Sequence, residues 1–358
     1  DNESPSVFIY TSGTTSKPKG VVHTHSTIWN SIDMLSEEWH WNRDDSILNV
    51  LPLHHVHGLV NITLCALYNG ASVTFGSPNP VKIWNNFRNL TDLNVFMAVP
   101  TVYAKLIEVF ENMPESEQTA CREACQRFRL MVSGSAALPN SVMNEWYDIS
   151  KHWLLERYGM TEILMVLSQK YMEDQDKKIY RKAGTVGFPM KNVETKITED
   201  GELYIKSATM FKEYYNKPEK TKEEFTEDGW FKTGDCAVID DEGYYKIEGR
   251  KNIDIIKYGG YKISALDIER TFLEHGLIKE IVVMGVPDET YGERIAALIV
   301  LKENVKKTQV NAEELRKWAR DKIAKYKIPE LILLVDDVPK NAMGKVAKKS
   351  LVPLFQDA

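Results

Sequence analysis

Residues 10–20, YTSGTTSKPKG, gather five Ser/Thr hydroxyls, two glycines and two lysines into eleven positions. Phosphate oxygens are held by short donors that converge without bulk, and glycine lets the backbone itself come close. Hydroxyls add donors and a lysine adds a mobile charge. Pro18 keeps a helix from absorbing the backbone N–H groups. The spacing is not that of a Walker loop, because Gly13 is followed five residues later by Pro18 rather than Gly. On composition, the segment fits a phosphate loop of another type or a solvated linker.

Three further stretches carry chemistry. In residues 157–162, RYGMTE, an aromatic, a glycine turn, a hydroxyl and a carboxylate follow an apolar run. Such a set can stack a base, touch phosphate and share a Mg²⁺ with phosphate oxygens; a strand-to-helix turn capped by Thr161 fits equally well. Residues 229–235, GWFKTGD, end in an acid able to accept from two vicinal ribose hydroxyls, or in an ordinary turn aspartate. His54, His55 and His57 have no Cys or carboxylate beside them, which disfavours zinc. If that segment is a strand, His55 and His57 share a face.

The elements that must position these groups follow from periodicity. SVFIY, ASVTF, VFMAV, RLMVSG and LLERYG read as buried strands, alternating with helices over 102–110 and 116–128. That pattern predicts an α/β sheet with its ligands beyond the strand ends. From Gly201 the strands shorten and acidic turns appear, as in GELYIK and CAVIDDEGYYKIEG, which predicts an antiparallel element. After GRKN at 249–252 three more strands and two helices suffice for a small α+β domain. Its last helix is capped by Asn311, carries Leu315, Trp318, Ala319, Ile323 and Tyr326 on one face, and stops at Pro329. The domains are therefore placed at 1–249 and 250–358.

The 358 residues are 43% hydrophobic and 27% charged, with net charge −6. This argues against a dedicated nucleic-acid or anionic-membrane binder. The four cysteines form no disulfide framework in a chain this long, and no apolar run is long enough for a membrane span. No obligate protein partner is implied. Asp1 in place of Met, with the dense motif starting almost at once, points to part of a longer protein.

YTSGTTSKPKG, GSAAL, RYGMTE, GWFKTGD, GRKNIDIIKYGGYKIS and PKNAMGK occur in the order found in the adenylate-forming superfamily of acyl-CoA synthetases, luciferases and peptide-synthetase adenylation domains. The chain resembles that superfamily over nearly its whole length. The resemblance implies an α/β fold: a large domain of layered mixed sheets, incomplete at its N-terminus, and a small mobile α+β domain. It implies ATP and Mg²⁺, with CoA as co-substrate. By position, Thr11, Ser12, Gly13, Thr14, Thr15 and Lys19 would form the phosphate loop; Gly134, Ser135 and Ala136 would line adenine, with Tyr158 and Gly159 beside it. Thr161 would touch phosphate, Glu162 would hold Mg²⁺, and Asp235 and Arg250 would grip ribose. Lys345 would reach the α-phosphate, and Gly259 and Gly260 would line the pantetheine channel, with a hinge at 250–252.

The motifs LPLHHVHGLVN, NVFMAVPTVYAKL, RLMVSGSAALP and LLERYGMTEI resemble the malonyl-CoA synthetase branch. A diacid leaves one carboxylate free after the other is adenylated, and an arginine fork suits it. Arg129 is the expected clamp and Lys105 a second, weaker cation, with His55 beside the acyl-adenylate and His57 near the substrate tail. The rival readings are another short- or medium-chain acyl-CoA synthetase, an adenylation module, and a truncated nucleotide-binding homologue without activity. The same branch implies the mitochondrial matrix, with the cytoplasm as the alternative.

Overall fold

A computed structural model describes residues 2–11, 18–172, 180–303, 305–340 and 346–355. Its centre is a seven-stranded sheet of β3 (Ser46–Asn49), β4 (Ser72–Phe75), β5 (Val95–Ala98), β6 (Leu130–Ser133), β7 (Leu155–Met160), β8 (Leu164–Ser168) and β9 (Phe188–Pro189), in the order β4-β3-β5-β6-β7-β8-β9. Strands β3 to β7 are parallel, and β8 and β9 turn antiparallel. VFMA and LMVS are buried at every residue, as expected of parallel strands covered on both faces.

Alternate residues feed two cores. Leu48, Phe96 and Met131 meet Trp84, Tyr103 and Trp146 on one side. Ile47, Val95, Val132 and Leu155 meet the helix His25–Glu38 and the π-helix His57–Leu64 on the other. The first of these helices starts from a reciprocal cap between Thr24 and Thr27.

The remaining strands build three smaller sheets. β1 (Pro5–Thr11), β2 (Lys19–Thr24) and β12 (Glu213–Tyr214) form one, β10 (Glu194–Ile197), β11 (Glu202–Lys206), β13 (Phe231–Ile239) and β14 (Tyr245–Arg250) the second. β15 (Ile255–Tyr258), β16 (Tyr261–Ser264), β17 (Ile278–Asp288), β18 (Gly292–Leu301) and β19 (Leu331–Val335) form the third, with a core of its own.

Three local expectations are corrected. SVFIY is one arm of an antiparallel hairpin, not a buried strand: Ile9 is buried while Phe8 and Tyr10 are exposed. His57 opens a π-helix rather than lying on a strand. Gly58 there packs so tightly on the preceding turn that a Cβ would lie 2.5 Å from the Pro52 carbonyl oxygen, and the Asn49 amide donates to the Gly58 carbonyl at 3.1 Å. The last long helix is Ala312–Ala319, capped by Asn311 as expected but ending well before Pro329. Arg316 turns back there to donate to the Pro329 and Glu330 carbonyls, and Tyr326 leaves the helix to stack on Tyr261.

Candidate active site

The hairpin β1–β2 brings the hydroxyl-rich motif to the rim of the large domain. Ser12, Gly13, Thr14 and Thr15 lie outside the described residues, as does Lys345. Thr11 ends β1 and its hydroxyl bonds to the Lys19 carbonyl across the hairpin at 3.4 Å. The Lys19 ammonium sits 4.0 Å from the centre of the Tyr214 ring, which β12 supplies by pairing with β2. The Tyr214 hydroxyl donates to Glu162 Oε1 at 2.8 Å. One aromatic side chain thus joins the lysine of one motif to the carboxylate of another.

His23 ties the same two motifs through the backbone. It is fully buried on β2, and its Nε2 donates to the Thr161 carbonyl at 2.7 Å. Its Nδ1 is 3.1 Å from the Thr27 hydroxyl. Burial depresses its pKa to about 4, so the ring is neutral at pH 7.

On the far side of Glu162 the antiparallel pair β13–β14 sets Asp235 opposite Arg250. Arg250 Nε is 3.0 Å from Asp235 Oδ1, and the Tyr158 hydroxyl donates to Asp235 Oδ2 at 2.6 Å. Burial raises the Asp235 carboxyl pKa against the pull of Arg250 and Tyr158. Gly159 follows Tyr158 where β7 folds back on β8; a Cβ there would stand 2.0 Å from the Leu164 carbonyl oxygen. Lys19, Thr161, Glu162, Tyr158, Asp235 and Arg250 therefore gather in one region, at the start of β2, the end of β7 and the paired strands β13 and β14.

The loop after β6 adds Gly134, Ser135 and Ala136, with Ser135 in the left-handed region at φ 71°. Beneath it lies a polar cluster buried without a full set of partners. His57 Nδ1 is 3.3 Å from the Ser135 hydroxyl, which Arg157 Nη2 reaches at 3.4 Å. Among the described residues, His57 Nε2 and Arg157 Nε have no hydrogen-bond partner, nor has either amide atom of Asn61, one π-turn further on. Arg157 is 4% exposed and no described carboxylate pairs with it. Burial pushes its pKa down to about 9, which still leaves it charged at pH 7. Burial, and then the Arg157 charge, hold the His57 ring well below its ordinary pKa. His55 lies two residues earlier, its ring centroid 4.5 Å from that of His54.

Arg129 is not the clamp. It precedes β6, at the end of the parallel sheet opposite the Gly134 loop, and forks onto Asp45 with Nε to Oδ1 and Nη2 to Oδ2 both at 2.6 Å. Its Nη1 donates to the Trp39 carbonyl at 3.0 Å, leaving no free edge for a substrate. Lys105 is exposed on the helix Pro100–Glu111, in a surface groove with Glu108 and Glu117. Gly259 and Gly260 form the turn of the β15–β16 hairpin on the small sheet at φ 53° and 85°, so the turn itself asks for glycine.

A family model described as AMP-binding enzyme matches residues 1–215, and that of the AMP-binding enzyme C-terminal domain matches residues 267–345. The chain belongs to the AMP-binding enzyme family. A malonate–CoA ligase of Arabidopsis thaliana is 46% identical over 98% of this chain and 60% of its own length. The chain spans 60% to 65% of the length of that relative and four other malonate–CoA ligases, and 61% of a probable CoA ligase of Humulus lupulus. Among AMP-binding enzyme structures, ATP-bound MatB from Rhodopseudomonas palustris is 32% identical and superposes with a TM-score of 0.87 over 100% of this chain and 69% of its own. A malonyl-CoA ligase ternary product complex with methylmalonyl-CoA and AMP is 36% identical, yet superposes at 0.64 over 95% of this chain and 73% of its own.

Three residues of this candidate site were not anticipated. Arg157 stands inside a quoted motif, and a signal existed: it lies at the carboxyl end of a parallel strand, where ligands bind. His23 sits in an apolar run, VVHT, where a lone histidine is a weak sign of a buried partner. Tyr214 had no local signal, because only the long-range pairing of β12 with β2 brings it in.

Proposed function

We propose that the full-length protein is an ATP-dependent acid–CoA ligase acting on malonate or its methyl derivative. A carboxylate oxygen of the acid bonds to the α-phosphorus of ATP while the bond to the β-phosphate oxygen breaks, and pyrophosphate leaves. The CoA sulfur then bonds to the acyl carbon, the acyl–oxygen bond to phosphate breaks, and AMP leaves with the thiol proton passing to solvent. Negative charge builds on the phosphates in the first step, so cations and donors already in place lower its barrier. In this reading Lys19 and Thr161 would serve that task, and Asp235 with Arg250 would hold the ribose hydroxyls.

Glu162 fits Mg²⁺ as a single buried carboxylate with one oxygen held by Tyr214, suited to a cation that takes its other ligands from phosphate and water. The bound ion would neutralise charge on the phosphates. CoA is the acceptor that the family resemblance implies, with Gly259 and Gly260 beside its pantetheine arm and Lys345 at the α-phosphate. A mitochondrial location belongs to the same proposal.

The observation that carries the choice of acid is Arg157, a buried cation without a carboxylate partner among the described residues, set between His57, Ser135 and the Gly134 loop. An unpaired buried charge is costly, and the second carboxylate of a diacid relieves that cost. The test is pyrophosphate release by the full-length protein with malonate, methylmalonate, acetate and octanoate. Malonate should lead, and Arg157→Met should abolish that lead while Arg129→Met keeps it. Preference for octanoate, or no release with any acid, rejects the reading.

A further inference from the structure

The π-helix His57–Leu64 carries one residue that its surroundings do not account for. Val60 and Ile62, with Cys65 and Ala66 just beyond the helix, enter the apolar core against the sheet. Asn61 stands among them with 0% exposure, and among the described residues neither its Nδ2 nor its Oδ1 has a hydrogen-bond partner. Burying an amide in this way is costly. A leucine fills nearly the same volume without that cost, so packing alone does not call for asparagine here.

The sheet shows where the amide belongs. Asn49, the last residue of β3, donates to the Gly58 carbonyl and the Thr63 hydroxyl, both at 3.1 Å, which ties the π-helix to the carboxyl end of the parallel strands. Val132 and Leu155 point to the helix from β6 and β7. Two residues further along each strand, on the same face, stand Gly134 and Arg157. On the helix, His57 and Asn61 are four positions apart and so share a side. His57 and Arg157 meet at the Ser135 hydroxyl, at 3.3 Å and 3.4 Å. The Asn61 amide, His57 Nε2 and Arg157 Nε are thus the unpartnered groups of one buried cluster.

We infer that Asn61 is a specificity-determining residue whose amide N–H donates to the free carboxylate of the bound diacid, beside the Arg157 guanidinium. This role rests on the ligase reading above and deepens it. A buried ion pair holds only when the remaining lone pairs of the carboxylate are also hydrogen-bonded. The amide supplies such a donor without adding a second charge, so a single carboxylate neutralises the pocket. A monoacid of the same shape leaves both Arg157 and Asn61 unpaired. Sites built around hydrogen bonds reject such ligands far more strongly than apolar pockets reject a wrong size.

The test measures pyrophosphate release by the full-length protein with malonate, its monoamide, and isovalerate, the monoacid that matches malonate in shape. Asn61→Leu should lower kcat/KM for malonate by about tenfold and leave that for isovalerate unchanged or higher. Asn61→Asp should pass the preference from malonate to the monoamide, because the introduced carboxylate repels a carboxylate and accepts from an amide. Loss of folding lowers every rate and cannot produce that exchange. In an unreacting complex with α,β-methylene-ATP, calorimetry should find malonate bound about tenfold more weakly by Asn61→Leu.

An unchanged ratio of malonate to isovalerate in Asn61→Leu, or malonate still ahead of its monoamide in Asn61→Asp, overturns the inference. The ligase reading survives that result as long as the unsubstituted protein favours malonate. An unsubstituted protein that adenylates acids without favouring malonate takes away the ligand of Asn61, and both readings then fall together.

Discussion

Arg157 lies so close beneath Gly134 that a Cβ built on the glycine would stand 2.6 Å from both Cζ and Nε of the guanidinium. The loop expected to line adenine and the cation proposed for the acid thus share one wall. Gly134→Ala has to displace Arg157, and a buried side chain has little room to give. The KM for malonate should rise about tenfold, while the KM for acetate stays within about twofold. Steady-state pyrophosphate release with the two acids checks this.

Arg129 should behave in the opposite way. Its partner Asp45 has no exposed side-chain surface, so Arg129→Met strands a buried carboxylate. Breaking such a pair costs about 3 kcal/mol. Urea unfolding of the variant should show that loss, with the ratio of malonate to acetate turnover unchanged.

His23 predicts how stability depends on pH. Its pKa is about 4 in the fold and near 6.5 unfolded. The folded state binds the proton less well, so this contribution is complete above pH 6.5 and is lost as pH falls toward 4. The full difference is worth roughly 3 kcal/mol. His57 and His152, also depressed by burial, act in the same direction. Unfolding measured from pH 7.5 to 4.5 should show falling stability, and His23→Gln should flatten part of the slope.

Tyr214 serves Lys19 with its ring and Glu162 with its hydroxyl. Tyr214→Phe keeps the first contact and removes the second. Losing a group that orients a metal ligand costs about tenfold in metal affinity, so the Mg²⁺ needed for half-maximal rate should rise by about that factor. Tyr214→Leu removes both contacts and should raise the KM for ATP as well. A Mg²⁺ titration of the two variants separates the roles.

The layered large domain and separate small sheet were readable because buried parallel strands such as VFMA and LMVS are apolar at every position. The motifs proposed for phosphate and ribose stand out in the sequence for a related reason: such ligands call for small, polar, turn-forming residues in short contiguous runs. Arg129 was misjudged because a residue's place in a motif does not say which end of the strand it occupies. The four residues of β6 separate it from Gly134, and those five steps span about 16 Å of extended chain. The π-helix of His57 was hidden since PLHHVHGLVN has neither a clear 3.6 nor a 2.0 period. Tyr326 followed the helical period that began at Asn311, but the contact with Tyr261 won.

Strand β2 pairs on one edge with β1, a few residues away in the chain, and on the other with β12, where Glu213 lies opposite Val22. About 190 residues intervene between those two partners. A ribosome that has released the hydroxyl-rich hairpin has therefore not yet supplied the ring over Lys19 or the donor on Glu162. Closing so long a loop is slow on the folding timescale. Until Glu213 and Tyr214 have emerged, that edge of β2 stays open.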